Sequence, residues 1–531
     1  MGRSPPGGEE GPGPDAPAAV LSRALGPATL LLAVAVVLAS WVLANPVGGS
    51  PDELNHVLRA EAVGQGDLSG RPNPELAATT AQAPLVKACC GPDNPARLRW
   101  VQRGARLVTV PARLDFGTCF DQPAGFVGAC VEHLNPYAPH PPRLTTMGTL
   151  EPGPYLLPGM ATRLAHDPLT AVRWARAANA AVTVVLLALA AWVLWSPEGP
   201  LAWVGLLLAV SPMVLFVGAS PAPSALEVAG GICFAAALVR LARVPEQAAG
   251  RGVWAALAVG GVALAASRSL GPVWVVLDVG AVAAMADPRR LWTTLRDAGG
   301  WAAAAALAVV AAGLGTAAWE LTHQPGIPFD VGYFFRQLGP SVTDLARVQR
   351  ELVGVFGSID VPLPVPARMV WTGLVIALLM AAVAVGARRQ RRAVAGVVLL
   401  GVVATLVVSS ALLRQNGFQV QGRHVLALAV VAPLLAGEVV HANRHRLPWL
   451  AARAGTVVGT VAAVAVLVHV VGLRTNLRHY AATPDHVDSI VPGPWWLWVL
   501  GAGAAAVVVA TKAAGAGRPP ADPGGSQVGG A

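Results

Sequence analysis

The chain has 531 residues, of which 54% are hydrophobic and only 13% charged, with a mean hydropathy of +0.55. That balance excludes an ordinary water-soluble globular protein, and apolar runs of about 17 to 22 residues match a bilayer core of roughly 30 Å. The net charge of +9 is carried in short basic clusters between apolar runs, which argues against a nucleic-acid binder and makes the clusters topology signals.

In chain order, residues 1–24 are rich in Pro and Gly and are expected to be disordered. The first apolar run, about 25–45, is longer than a signal-peptide core and lacks a convincing cleavage site, so it reads as an anchor. Further runs near 170–194, 201–218, 224–241, 253–267, 271–286, 301–319, 369–387, 393–413, 424–441, 455–473 and 495–511 bring the expectation to about twelve spans. Residues 512–531 form a second flexible tail.

With the N-terminus in the cytoplasm, Arg243 and Arg251 fall inside, as do Arg289, Arg290 and Arg296. So do Arg388, Arg389, Arg391 and Arg392, and then Arg444, Arg446 and Arg453. The positive-inside rule then places both termini in the cytoplasm of a bacterial plasma membrane, with segments of about 46–169, 320–368 and 474–494 outside. The first of these is far longer than an ordinary loop and is expected to fold as a small domain.

Four of the five cysteines, Cys89, Cys90, Cys119 and Cys130, lie in that first external segment, consistent with an oxidising compartment. Adjacent cysteines bridge each other only with strain, so Cys89 and Cys90 are each expected to pair with Cys119 or Cys130. Cys233 is intramembrane. No CxxC pair or histidine stands at zinc-ligand spacing, and no metal is assigned.

The segment from Ser50 to Ala60 carries Asp52, Glu53, His56 and Arg59 just beyond the first span. On a helix Asp52 and His56 share a face, as do His56 and Arg59. A competing structural account treats Ser50 to Glu53 as an S-x-x-E capping box with Pro51 at the first helical position. It explains four residues at once, but neither His56 nor Arg59.

Arg268, Arg414 and Arg423 stand at external span ends, where each either meets a phosphate or snorkels to lipid headgroups. Arg173 and Arg176 flank the outer end of the second span. Glu227 and Asp278 are acids inside apolar runs, which makes them functional candidates. Asp485, His486 and Asp488 read as solvated loop residues, and Trp495, Trp496 and Trp498 as an interfacial belt. The sequence carries no Walker loop, dinucleotide fingerprint, HExxH helix or GxSxG elbow.

The stretch PDELNHVLRAEAVGQGDL resembles a signature of the bacterial multi-span proteins grouped as domain of unknown function family 2142. NPYAPHPP, SPMVLFVGASPAPSALEV, FGSIDVPLP and QGRHVLAL are similar to later signatures, in collinear order over roughly residues 25 to 475. Two departures stand out. Ala-Pro-Ser replaces a usual acidic residue in the third-to-fourth connection, and His424 stands where Tyr is usual.

The family's layout is similar to the GT-C class of membrane glycosyltransferases. The resemblance implies an all-α polytopic fold of about twelve helices over residues 25–511, with an extracytoplasmic loop domain after the first. It implies Asp52 as general base with Glu53 as neighbour or alternate, and a polyprenyl-phosphate-linked sugar as donor. His56, Arg59, Arg268, Arg414, Arg423 and His424 are the implied substrate-binding residues. The expected partners are membrane lipids and a glycan or lipid acceptor, with no cofactor required and a divalent metal left open. A transporter or flippase of a lipid-linked saccharide, or a non-catalytic envelope scaffold, are the competing functions.

Overall fold

In hydrocarbon every backbone polar group must be satisfied internally, so a chain of this composition folds into helices. A computed structural model of the chain describes residues 16–74, 95–122, 126–134, 141–195, 200–243, 250–324, 326–481, 499–504 and 506. Cys89, Cys90, most of NPYAPHPP, the 485–488 cluster, the 495–498 tryptophans, most of the last apolar run and the C-terminal tail lie outside those residues.

The first helix, α1, spans Ala16–Ala44 and so begins inside the segment expected to be disordered. Seven helices are long and apolar enough to cross a membrane: Pro168–Leu194, Ser224–Arg243, Gly300–His323, Val365–Val385, Arg388–Asn416, Gly422–Ala442 and Ala454–Tyr480. An eighth is counted if Gly271–Met285 and Pro288–Ala298, bent by 119°, form one span. The expectation of about twelve spans is therefore corrected to seven or eight candidates among the described residues.

The reasons are physical. The run near 201–218 splits into Ala202–Ala209 and Pro212–Gly218, because a proline disfavours helical backbone in the residue before it and donates no hydrogen bond. Arg251–Ala265 and Gly271–Met285 have 15 residues each, about 22 Å at 1.5 Å per residue, short of a bilayer core of roughly 30 Å.

The bundle has two distinct poles. At one, Arg243 pairs with Glu438 at 3.3 Å, Arg389 donates to the Ala284 carbonyl at 3.0 Å, and Arg446 donates to the Val385 carbonyl at 2.7 Å. At the other lies the segment after α1. There α2 (Glu53–Gly64) packs on the helix Leu156–Thr162 so closely that a Cβ on Gly64 would sit 2.2 Å from the Gly159 carbonyl oxygen. An antiparallel sheet of β1 (Arg71–Pro72), β2 (Arg106–Val108) and β3 (Arg143–Thr145) sets Leu107 opposite Leu144.

Cys119 pairs with Cys130, their Cα atoms 5.6 Å apart. This corrects the expectation that both would bridge to Cys89 and Cys90. Cys119 sits in a 3-10 turn at Gly117–Asp121 and Cys130 on the short helix Val127–Glu132, so the bond closes a local corner. FGSIDVPLP forms a hairpin of β4 (Val355–Phe356) and β5 (Val361–Pro362). Its Phe356 meets Trp41 of α1 at 5.2 Å and Phe216 at 5.5 Å between ring centroids, which locks the second large loop onto the first helix.

Candidate functional site

The S-x-x-E box does not form. Asp52 adopts left-handed backbone (φ 57°), the helix starts at Glu53, and the Asp52 side chain makes no capping hydrogen bond. Ser50 instead accepts from the Asn45 amide at 3.1 Å. Glu53 turns inward to a buried ion pair with Arg176, 2.6 and 2.7 Å, and accepts from the Gly48 amide at 2.8 Å. Arg176 also donates to the carbonyls of Asn45 at 2.6 Å and Pro46 at 2.8 Å. The pair therefore fixes the turn between α1 and α2, and Glu53 lies away from the cavity that Asp52 faces.

That cavity, of about 620 Å³, is lined by Asp52 and His56, by Arg97 and Trp100 of the helix Pro95–Gly104, and by residues from three inter-helix connections. Arg268 comes from the connection after Arg251–Ala265, Gln324 from the one after Gly300–His323, and Phe418 from the one after Arg388–Asn416. Side chains several hundred residues apart thus share one chamber at the pole opposite the arginine-rich ends.

Asp52 accepts from Arg423 Nη2 at 3.0 Å, with its own side chain 36% exposed toward the cavity. Burial pushes its carboxyl up, but the Arg423 guanidinium and Arg97 outweigh that and hold it below the usual carboxylate range. Asp52 is therefore ionised at neutral pH. Arg423 also donates to Gln421 Oε1 at 2.7 Å. Its backbone is anchored next door, where Glu351 accepts from the Gly422 amide at 2.6 Å and Arg347 donates to the Val420 carbonyl at 2.8 Å.

His56 stands one turn beyond Asp52 on the same face, as its spacing implied, and is within 2.7 Å of the Tyr155 hydroxyl. Burial pushes its imidazole down to about 3, so it is a neutral hydrogen-bonding group. Arg59 is not in the cavity. It donates to the carbonyls of Leu68 and Leu150, both at 2.6 Å, and lies under the Tyr155 ring, so it ties the segment after α1 together.

Arg268 lines the cavity 3.6 Å from Glu227, whose other oxygen accepts from Trp274 Nε1 at 3.0 Å. Glu227 thereby supplies a carboxylate to the chamber one turn after the connection that lacks the usual acid. His424 lines the cavity beside Arg423, while Arg414 is directed away, to Asp330 at 3.2 Å. Asp278 is buried within its helix and does not reach the chamber.

Several lining residues carried no local signal. Arg97 lies over Trp100 at 4.2 Å and over Phe418 at 5.0 Å, which joins the segment after α1 to the end of Arg388–Asn416. Arg103 adds a bond to the Gln415 carbonyl at 2.7 Å. Glu320 lines the wall, and burial together with that facing carboxyl pushes Glu151 well above the ordinary carboxylate range. Only the folded chain shows that these groups meet.

No curated protein and no solved structure matches the chain. A family model, described as a predicted membrane protein of unknown function, matches residues 35–432, which include α2, the cavity and the Arg423 segment. The chain belongs to that family, DUF2142.

Proposed function

We propose that the protein is an extracytoplasmic glycosyltransferase that moves a sugar from a polyprenyl-phosphate donor to a hydroxyl of an envelope glycan or lipid. The observation that carries this reading is the Asp52 carboxylate, released from helix capping and turned into a large chamber against Arg423. The resemblance to GT-C enzymes points the same way.

In this reading the acceptor O–H bond breaks and its proton passes to Asp52, while the hydroxyl oxygen bonds to the anomeric carbon. The bond from that carbon to the phosphate oxygen breaks, and the electron pair leaves with polyprenyl phosphate. Arg423 and Arg268 neutralise the leaving group. A phosphate that engages Arg423 also takes it from Asp52, which raises the basicity of the carboxylate at the moment it is needed. A positioned base of this kind contributes about 10² to 10⁴ in rate.

The chamber takes its walls from connections at one pole, and the clustered arginines lie at the other. Under the positive-inside rule this arrangement supports a reading with the chamber outside the cell and both termini inside, in a bacterial plasma membrane.

The test is lipid and glycan profiling of a strain lacking the protein. Loss of one envelope sugar linkage, with its acceptor accumulating and restored by the intact chain, is the expected result. Unchanged linkages overturn the reading. So does accumulation of a complete lipid-linked saccharide on the cytoplasmic face, which is the signature of a flippase.

A further inference from the structure

Next to the charged chamber lies a second, apolar cavity of about 440 Å³. Three of the helices that line it each contribute one face, and residues around 208–211 and 425–433 complete the lining. Leu345, Val348 and Leu352 come from Val331–Gly354, Thr372, Ile376 and Leu379 from Val365–Val385, and Val398, Gly401 and Thr405 from Arg388–Asn416. Each set is spaced at three or four residues, so each presents one stripe. Seven residues of helix rise about 1.5 Å apiece, which makes the groove roughly 10 Å long.

The groove adjoins the chamber through one short helix. In Gly422–Ala429, Arg423 and His424 line the chamber, while Val425 and Leu426, the next two residues, line the groove. Its outer edge faces lipid, where Ile376 is 49% and Val398 41% exposed. Gly401 leaves a notch, since a Cβ there would meet no atom within 4 Å.

We propose that this groove holds the first isoprene units of a single-chain lipid monophosphate whose phosphate lies at Arg423. The inference rests on the lipid-phosphate reading above and adds where the chain lies and how much of it is read. One channel takes one chain, so a glycerophospholipid gains groove contact from only one of its two chains and must keep the other outside it. Four carbon–carbon bonds of about 1.5 Å make an isoprene unit roughly 5 Å long when extended, so the groove takes about two units. Units beyond those lie in the membrane and add no selectivity.

The experiment is photolabelling of the full-length protein in membranes by a two-unit prenyl phosphate with a diazirine on its terminal isoprene. Label on peptides containing 372–379 or 398–405 is expected, competed equally by two-unit and much longer prenyl phosphates. Phosphatidic acid at the same concentration should compete at least tenfold less well. Gly401→Trp fills the notch and should lower labelling at least tenfold at unchanged abundance. If that variant is poorly made, the mapped label and the competition series on the parent decide. Label elsewhere, phosphatidic acid competing as well as prenyl phosphate, or full labelling of an abundant Gly401→Trp would each overturn the proposal. Labelling reads lipid binding alone, whereas transfer is read by glycan profiling, so a failure of the transfer reading leaves this result standing.

Discussion

Asp52 and Arg423 are separated by 371 positions in the chain and by 3.0 Å between carboxylate and guanidinium. The contact joins the start of α2 to the start of the helix Gly422–Ala429, and so the segment after α1 to the far end of the family match. It also bears on the two accounts of Asp52, because the side chain that pairs with Arg423 makes no capping hydrogen bond to its own helix.

Asp52→Asn should remain as abundant in the membrane as the parent, since Asn tolerates the left-handed backbone found at this position. Its transfer rate should fall by about 10² or more, because an amide cannot take the proton. Ser50→Ala removes one hydrogen bond from Asn45, a cost of about 1 kcal/mol, and should transfer normally. Measuring abundance and product for both variants separates the roles, and an active Asp52→Asn would end the catalytic assignment.

Much of this was legible in the sequence, and the limits are instructive. The positions of most apolar helices, the shared face of Asp52 and His56, and Arg268 and Arg423 at one pole follow from periodicity and flanking charge. What periodicity cannot reveal is where a run stops being one helix. The break before Pro212 lies within a run read as one span, whereas the two 15-residue helices match runs read from the sequence and are simply too short to count as spans. Local spacing also misdirected Glu53. Ser50 three residues before it has the form of a cap, and nothing nearby betrays that Arg176, 123 positions away, claims the carboxylate. Arg97 and Trp100 are three apart on one helix, but Phe418 reaches them only through tertiary folding, so no local pattern marks the cluster.

Glu53 and Arg176 should behave as structure rather than catalysis. Their side chains are 0% and 1% exposed, and removing one partner of such a pair costs about 3–5 kcal/mol. Arg176→Met also strands the carbonyls of Asn45 and Pro46. Both Glu53→Gln and Arg176→Met should lower the amount of folded protein recovered in detergent, with activity per folded molecule retained for Glu53→Gln. A full loss of activity at normal abundance in Glu53→Gln would return that residue to the chemistry.

The bond between Cys119 and Cys130 closes a loop with a sequence separation of 11, for which about 2–4 kcal/mol of stabilisation is typical. Cys119→Ser, Cys130→Ser and the double variant should therefore be destabilised by nearly the same amount, read as melting temperature in detergent. Additive losses would mean that the two thiols are not bonded to each other.

Orientation can be read with introduced cysteines at Gln65, exposed at the end of α2, and at Gly250, where a side chain meets open space. In intact cells a membrane-impermeant maleimide should label Gln65→Cys above the parent level and leave Gly250→Cys unlabelled until the membrane is opened. The reverse pattern would place the chamber in the cytoplasm and remove the extracytoplasmic reading.

Glu61, on α2, has no exposed surface, and neither carboxylate oxygen has a hydrogen-bond partner. Burial, with a smaller push from Asp115, raises its carboxyl well above the ordinary value of 4.5. The sign follows from proton counting. Above pH 4.5 the unfolded chain releases this proton while the folded chain keeps it, so the unfolded state binds fewer protons and stability falls as pH rises. The stability is fully present below the unfolded value and is lost progressively toward the folded one. Glu61→Gln removes the titration, so it should melt higher than the parent at pH 7, with the advantage shrinking toward pH 4.5. A melting curve measured across that range in a fixed detergent decides it: an advantage that is absent at pH 7, or that grows toward acid, would mean that Glu61 is ionised and paired in the folded protein.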